Sequence, residues 1–167
     1  MNDAPQVTTA IVLHPIGIIH SPFKEISGMP IQPSGAAEFE GEVEIFPEFE
    51  AGLQDLAGFS HIILLYHFHQ VRQNQLVVTP FLDDQPRGLF ATRAPKRPNP
   101  IGLSIVRLLR VEQNILHIGQ VDVIDGTPLL DIKPYVPEFD HHLAERTGWL
   151  EQAKGKVINK KSDDRFR

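Results

Sequence analysis

The sequence predicts an all-β fold made of short strands joined by tight turns. Fourteen prolines and twelve glycines punctuate the 167 residues, and this frequency argues against long helices. Between them lie short segments rich in isoleucine, leucine and valine, some of which alternate apolar with polar residues as half-buried strands do. A chain of this length buries enough surface for one core without a disulfide or a structural metal. The spacing of the segments favours a sandwich or a closed barrel.

The predicted strands follow one another along the chain. Residues 10–21 are rich in isoleucine and valine, residues 42–46 alternate glutamate with apolar side chains, and residues 60–69 form a buried apolar run. The remaining predicted strands are residues 76–81, 88–92, 102–112, 115–124 and 129–132. Helix is expected only in residues 49–56 and after Phe139. The expected organisation is an N-terminal extension (1–10), one β domain (11–140) and a polar, basic C-terminal tail (141–167).

The composition excludes several classes of protein. The chain has no cysteine, which excludes a disulfide scaffold, a zinc–cysteine site and a catalytic thiol. Its longest apolar runs, residues 16–19 and 62–65, are far too short to cross a bilayer, and its N-terminus does not resemble a signal peptide. We therefore expect a soluble, cytoplasmic protein with no membrane partner.

Charge is segregated along the chain, although the net charge is only -5. Six glutamates and no basic residue lie between Glu38 and Glu50, whereas six basic residues and no acidic residue lie between Arg87 and Arg110. Seven further basic residues follow from Arg146 onward. Positive patches on an acidic protein attract anions, and nucleic acid is one candidate. Solvated surface is an equally good interpretation of the glutamates and of the tail.

The central basic block contains a proline-rich loop, residues 88–102, with the sequence GLFATRAPKRPNPIG. Three prolines within six residues forbid helix and strand pairing and fix the backbone, so the loop is predicted to be rigid. Between two strands it presents four polar side chains: Arg93, Lys96, Arg97 and Asn99. A stiff basic loop suits a phosphate or carboxylate ligand, because little conformational entropy is lost on binding.

A second informative segment, residues 121–135, reads VDVIDGTPLLDIKPY. Asp125 and Gly126 form a turn dipeptide, and an ordinary hairpin turn is the simpler interpretation. The exposed backbone amides of such a turn could also hold a polar small molecule. Asp122, Asp125 and Asp131 could then accept hydrogen bonds from ribose hydroxyls or from an amino group.

Four motifs in succession resemble the TsaA-like (VirR, YaeB) family: PIGIIHSPF, FSHIILLYHFH, FATRAPKRPNPIG and DGTPLLDIKPYVP. The resemblance covers residues 13 to about 140. That family includes S-adenosylmethionine-dependent methyltransferases acting on N6-threonylcarbamoyladenosine beside the anticodon of tRNA. The resemblance implies a small closed β-barrel, and the sequence indeed lacks the G-x-G-x-x-G motif of Rossmann methyltransferases. It also implies a homodimer with the cofactor near the subunit interface.

The resemblance further assigns functional residues. The implied contacts to S-adenosylmethionine are Gln32, Pro33, Ser34, Phe68, His69, Arg93, Leu103, Gly126, Thr127, Pro128 and Leu129. The residue types fit the ligand, because Phe68 and Leu103 can enclose adenine or rest near the sulfonium, and Arg93 can hold a carboxylate. The implied tRNA contacts are Arg97, Asn99, Lys133 and Tyr135.

Methyl transfer from a sulfonium depends mainly on positioning of the acceptor nitrogen. The carbamoylated N6 must also lose a proton, and His69, Asp125 or Asp131 could accept it. The sequence does not choose among these three. Only about 27 residues follow Asp140, so the resemblance implies a short form without the further C-terminal domain of longer members.

Two functions of other classes remain open from the residues themselves. His67 and His69 are two apart on a predicted strand, similar to the H-x-H pair of cupin metal ligands, but no glutamate follows at a short spacing, and no metal is expected. An RNA- or nucleotide-binding barrel without catalysis is the other alternative. Such barrels stack bases on exposed aromatic rings, and Phe90 is the single aromatic residue of the basic block.

Overall fold

Six antiparallel strands form a closed barrel in the computed structural model of this chain, which describes residues 10–153 and 159–166. Around the barrel the order is β1 (Gly17–His20), β2 (Glu40–Ile45), β7 (Ile115–Gly119), β6 (Ile101–Glu112), β3 (His61–His67) and β8 (Thr127–Pro134). Strand β8 closes the barrel because it pairs with both β3 and β1. The short strands β4 (Val77–Val78) and β5 (Arg87–Gly88) form a separate pair. The predicted all-β fold is confirmed, and its architecture is the barrel rather than the sandwich.

Side chains along each strand alternate between the barrel interior and its outer surface, as the pleat requires. In β3, for example, Ile62, Leu64 and Tyr66 are buried while the residues between them are partly exposed. All six strands contribute to the core, whose fully buried members include Ile19, Val43, Ile45, Ile62, Leu64, Val106, Leu116, Ile118 and Leu129. Because this interior is filled by apolar side chains, polar groups can meet only at the barrel ends and on its outer face.

Several predicted strands are shorter than expected. Of residues 10–21 only Gly17–His20 pair, since Pro15 has no amide hydrogen to donate, and Ile11 is 87% exposed. Only Val77–Val78 pair within residues 76–81, where Pro80 interrupts the segment. The strand predicted over residues 115–124 leaves the barrel after Gly119, because Gln120 adopts a left-handed conformation with φ of 62°.

Two local predictions are wrong. Of residues 88–92 only Gly88 lies in a strand, as the end of β5: a single 3-10 turn, Leu89–Ala91, follows, and the Thr92 amide and hydroxyl both donate to the Leu89 carbonyl at 3.0 and 2.8 Å. The Asp125–Gly126 turn does not join a hairpin, because β8 pairs with β1 and β3 and not with β7. The proline-rich loop therefore runs from a 3-10 turn into β6 rather than between two strands.

Helix is confined to short pieces in the described part of the chain. The 3-10 helices Pro47–Leu53 and Leu56–Gly58 cover most of the predicted helical residues 49–56. After the barrel come the four-residue helix α1 (Pro137–Asp140) and the 3-10 helices Gly148–Ala153 and Asp164–Phe166. None of the helices in residues 10–153 and 159–166 is long and apolar enough to span a membrane.

Residues 159–166, called here the C-terminal segment, return to the barrel and pair with the loop that precedes β2. Lys161 forms a β-bridge with Pro30, the Gly28 amide donates to the Ser162 carbonyl at 2.9 Å, and the Ser162 amide donates to the Met29 carbonyl at 2.8 Å. At the end of the segment, the buried Phe166 joins a second small core with Val78, Leu89 and Ala94. Residues 1–9 of the predicted N-terminal extension, and residues 154–158 and 167 of the predicted tail, lie outside the described residues.

Candidate active site

A cavity of about 360 Å³ lies at one end of the barrel, where β3 ends and where β6 and β8 begin. Its walls come from the loop before β2, the residues after β3, the proline-rich loop, the connection between β7 and β8, and the C-terminal segment. Gly102 at the start of β6 is needed there because a Cβ atom would overlap the ring of Tyr66. The cavity is mostly apolar, with a few polar groups facing it, as is usual for a small-molecule site.

The structure brings many of the predicted site residues together around this cavity. The lining residues that the sequence singled out are Gln32, Phe68, His69, Arg93, Arg97, Leu103 and Thr127. They come from five separate segments of the chain, and only the closure of the barrel makes them neighbours. Thr127 is held in place at the start of β8, where its hydroxyl donates to the Ile124 carbonyl at 2.7 Å.

Other residues assigned to the cofactor lie next to the cavity but do not line it. Pro33 and Ser34 belong to the 3-10 turn that follows Gln32. Gly126, with φ of 76°, forms the turn into β8, and its amide donates to the Ile19 carbonyl at 2.9 Å. Pro128 pairs with Ile18 across the barrel seam, and Leu129 is fully buried in the core. From this last segment, the side chain that faces the cavity is therefore that of Thr127.

Two arginines of the proline-rich loop have different partners. Arg97 donates to the carbonyls of Thr92 and Ala94 at 3.1 and 3.3 Å, and its guanidinium lies 5.7 Å from the centre of the Phe90 ring. Arg97 thus braces the loop. Among the described residues, Arg93 makes one side-chain hydrogen bond, to the side-chain oxygen of Gln32 at 3.2 Å, and it remains exposed at the cavity mouth. Its other N–H groups are free to meet a ligand, since a guanidinium carries five donors.

The polar floor of the cavity is a hydrogen-bonded chain formed by Tyr66, Ser104 and Asp122. The Ser104 hydroxyl donates to Asp122 Oδ1 at 2.7 Å, and the Tyr66 hydroxyl lies 2.9 Å from the Ser104 oxygen. Burial raises the pKa of Asp122 to about 6, against the opposing effects of the Ser104 hydrogen bond and of the Arg93 charge. Burial also raises the pKa of Tyr66, so its hydroxyl stays protonated.

Of the three proposed proton acceptors, only His69 lines the cavity. Burial, reinforced by the neighbouring His67, lowers the pKa of His69, so its imidazole is neutral at neutral pH. Asp125 accepts hydrogen bonds from the Ser21 amide and from Lys24 instead, and the Lys24 bond is the main reason why its pKa is lowered. Asp131 pairs with Lys133 at 2.8 Å and does not reach the cavity.

The remaining predicted tRNA contacts lie outside the cavity. Asn99 is exposed at the turn of the proline-rich loop, Lys133 is paired with Asp131, and the Tyr135 ring packs edge-on against His61 with 6.3 Å between the ring centres. The structure therefore places Asn99, Lys133 and Tyr135 on the protein surface, away from the pocket that holds Arg93.

The two histidines considered as metal ligands do not share one strand face. β3 ends at His67, and His69 follows a tight turn in which its amide donates to the His67 carbonyl at 2.8 Å. Within residues 10–153 and 159–166, no three histidine or acidic side chains converge in a way that could hold a metal ion.

Sequence reasoning missed Tyr66 and Ser104, and it named Asp122 only together with Asp125 and Asp131 as a possible acceptor of hydrogen bonds from ribose hydroxyls or from an amino group. The available signal was weak, because Ser104 is the single polar side chain among the inward-facing residues of β6 and Tyr66 the single one in β3. A polar residue at an inward position of a barrel strand needs a buried partner. The partner itself is set by the strand register, which places Leu64 opposite Ser104 and brings Tyr66 alongside.

Comparison with known proteins gives the family. A family described as the tRNA-methyltransferase O N-terminal domain matches residues 18–141. This chain belongs to that family. Its matched region contains the barrel apart from Gly17, the first residue of β1, and all cavity walls except the C-terminal segment.

Several members of the family are close relatives of this chain. A "Probable S-adenosyl-L-methionine-binding protein" from Pyrococcus abyssi is 57% identical over 93% of this chain and 85% of its own length. The tRNA (adenine(37)-N6)-methyltransferase of Escherichia coli is 40% identical over 73% of this chain, which spans only 56% of that enzyme. The crystal structure of TrmO from Pseudomonas aeruginosa superposes with a TM-score of 0.71 at 40% identity, covering 84% of this chain and 63% of the other.

Proposed function

We propose that this chain is an S-adenosylmethionine-dependent methyltransferase that methylates N6 of an adenosine beside the anticodon of tRNA. The observation that carries the proposal is the convergence of Gln32, Phe68, Arg93 and Thr127 on one cavity in a member of the tRNA-methyltransferase O family. The name of the relative from P. abyssi supports S-adenosylmethionine as the cofactor. The name of the relative from E. coli supports N6 of a tRNA adenosine as the methyl acceptor. Such an enzyme works where tRNA is, and we place it in the cytoplasm.

The geometry suits methyl transfer from a bound sulfonium. Phe68 and Leu103 provide apolar surface for the adenine or for the sulfonium methyl group, and Arg93 at the mouth can hold the carboxylate. Displacement at an activated methyl carbon needs the acceptor nitrogen in line and about 3 to 3.5 Å away, so a rigid pocket is the main requirement. The braced proline-rich loop supplies that rigidity.

The finer substrate is N6-threonylcarbamoyladenosine. Its threonyl group carries a carboxylate, and Lys96 of the proline-rich loop, next to Arg97 of the cavity wall, adds positive charge that attracts such a group while Arg93 holds the cofactor. Its N6 proton must leave during the reaction, and the neutral His69 imidazole at the cavity is the acceptor that we favour among the three residues considered.

We also propose that the enzyme is a homodimer in which a partner completes the cavity. The outer surfaces of β3 and β6 form a continuous apolar face, defined by the paired residues Ile63 with Ile105 and Leu65 with Leu103. Leu103 is 45% exposed and belongs both to this outer apolar face and to the cavity wall. A second copy that covers the face would therefore also shield the cavity from water.

The test is methyl transfer with labelled S-adenosylmethionine and two tRNA preparations, one with threonylcarbamoyladenosine and one with unmodified adenosine at the same position. We expect label at N6 of the threonylcarbamoylated nucleoside only, identified by mass spectrometry after digestion. Label in both tRNAs would support the proposed methyltransferase activity but contradict the proposed specificity for threonylcarbamoyladenosine. Cofactor binding without any transfer would instead favour the RNA- or nucleotide-binding alternative.

A further inference from the structure

Asp122 is a half-buried carboxylate on the cavity wall for which the described residues supply no ion-pair partner. It is the single acidic residue among the described residues that line the cavity. Ser104 makes the one side-chain hydrogen bond to it, and within residues 10–153 and 159–166 no lysine, arginine or histidine lies within ion-pairing distance. By contrast, Asp125, Asp131 and Asp163 all have ion-pair partners on the surface.

The hydrogen-bonded chain below Asp122 fixes both its orientation and its role. Ser104 has one hydroxyl hydrogen and uses it on Asp122 Oδ1, so the Tyr66 hydroxyl must donate to Ser104. Both hydrogens therefore point toward the carboxylate and favour its ionised form. Held in this way, Asp122 can act toward the cavity only as a hydrogen-bond acceptor.

A desolvated carboxylate gains most from a partner that is cationic and donates hydrogen bonds. Burial raises the pKa of Asp122, and the Ser104 hydrogen bond and the Arg93 charge offset this effect only in part. Arg93 lines the same cavity as Asp122 and Tyr66, and its positive charge lowers the pKa of both. The cavity thus presents one anionic and one cationic side chain to a single ligand.

We propose that Asp122 binds the α-ammonium group of S-adenosylmethionine while Arg93 binds the carboxylate on the same carbon atom. The inference rests on the proposed function, since it assigns a residue to the cofactor of that reaction. An amino acid carries its two charges on neighbouring groups, which matches the Asp122 and Arg93 pair. The sulfonium is also cationic, but it has no hydrogen to donate to a carboxylate that accepts hydrogen bonds.

The experiment compares three ligands with wild-type protein and the Asp122→Asn variant by calorimetry at neutral pH. S-adenosylmethionine carries both cations, S-adenosylhomocysteine keeps only the ammonium group, and methylthioadenosine has neither. The variant keeps the acceptor for Ser104 but turns an amide N–H toward the ammonium group. We expect about 10- to 100-fold weaker binding of the first two ligands and unchanged binding of methylthioadenosine. Glu44→Gln, which removes a surface carboxylate on β2 outside the cavity, should leave all three affinities unchanged.

Each other result overturns the inference. Weaker binding of S-adenosylmethionine alone would assign Asp122 to the sulfonium, and equal loss of all three ligands would mean that the substitution deforms the pocket. Unchanged binding with slow methyl transfer would make Asp122 a proton acceptor instead. If wild-type protein binds none of the ligands, the proposed function itself fails, which is a different result from any of these.

Proton release gives a second readout that a structural role would not produce. An ammonium group lowers the pKa of the carboxylate that binds it, so binding of S-adenosylhomocysteine near pH 6, where Asp122 is about half protonated, should release up to about half a proton in the wild type. The charged and titratable groups around Asp122 are Tyr66 on β3, with Arg93, Arg97 and His69 along the same cavity. Because His69 can also titrate, the release is measured as the difference between wild type and Asp122→Asn in buffers of different ionisation enthalpy. Equal release by the two proteins would overturn the inference.

Discussion

Arg93 and Arg97 are only four residues apart, yet the structure gives them different tasks. Arg97 is occupied by two backbone carbonyls and by the Phe90 ring, so it stabilises the loop. Arg93 has one side-chain partner and faces the cavity mouth. At the residue scale, loss of Arg93 should therefore affect the ligand, whereas loss of Arg97 should affect the loop.

Replacement of Arg93 by alanine should weaken S-adenosylmethionine binding by about 2 to 4 kcal/mol, because a carboxylate would be left unpaired in a partly dry site. Arg93→Lys should restore little of this loss, since lysine supplies charge without the planar fork of N–H groups. Calorimetry gives the affinity, and the melting temperature without ligand should move by no more than a few degrees. If affinity holds while the melting temperature collapses, Arg93 is a structural residue.

The unpaired charge of Asp122 should also be visible in the stability of the protein. The folded pKa of about 6 lies above that of an unfolded aspartate, so ionisation of Asp122 disfavours the folded state as the pH rises. Asp122→Asn should therefore melt at a higher temperature than wild type at neutral pH, and the difference should vanish as the pH falls through about 6 toward about 4. A wild type that is the more stable protein at neutral pH would contradict this interpretation.

The contacts of Asp122 could not be predicted from the sequence, because they join residues that are distant along the chain. The proline-rich loop directed attention to Arg93, and the family resemblance assigned Thr127, because both residues lie in distinctive local motifs of the chain. The Tyr66, Ser104 and Asp122 chain joins residues 38 and 18 positions apart: the pairing of β3 with β6 brings Tyr66 to Ser104, and the connection between β7 and β8 brings Asp122. Local patterns carry no information about such a register.

At the scale of elements, long alternating strands were predicted well and short ones poorly. Strands β3 and β6 lie within one or two residues of their predicted starts, because an inward apolar residue recurs at every second position over many residues. The two-residue strands β4 and β5 offer no period to recognise, and residues 89–91 close a 3-10 turn through Thr92 instead. The C-terminal segment is equally short, and its position against the barrel is set by its hydrogen bonds to Gly28 and Met29 and not by a recognisable sequence pattern.

Ser162 ties the C-terminal segment to the cavity wall. Its hydroxyl donates to the Ile26 carbonyl and accepts from the Met29 amide at 3.0 Å, and Ser162 itself lines the cavity. Ser162→Ala should loosen the segment by about 1 to 2 kcal/mol and weaken cofactor binding severalfold. Calorimetry and limited proteolysis of the segment measure the two effects. Ser60→Ala, which removes an exposed hydroxyl beside His61, is the matched control and should change neither. Normal affinity with a protease-sensitive segment would show that the segment does not help to bind the ligand.

At the scale of the whole molecule, the outer apolar face predicts association. Light scattering should give about twice the chain mass of 18.8 kDa. Leu65→Glu places a charge in the middle of that face and should yield monomers with weaker cofactor binding, because the cavity loses its cover. Phe139→Glu, at a 69% exposed position on α1 outside the face, should remain dimeric. If the wild type stays monomeric at micromolar concentration, the proposal that a partner subunit completes the cavity is wrong.

The seam between β1 and β8 has a consequence for the time course of folding. Gly17 pairs with Leu129 and Ile19 with Thr127, so the two strands that close the barrel come from opposite ends of the domain sequence. Contacts so distant along the chain carry the largest loop-closure entropy and tend to form late on the folding pathway. Truncation of Ile19 to valine should therefore accelerate unfolding and leave the refolding rate nearly unchanged, as stopped-flow fluorescence of Trp149 can measure. During synthesis, the edge of β1 that faces β8 must then stay unpaired until residues 127–134 have left the ribosome, although β2 can pair earlier with its other edge.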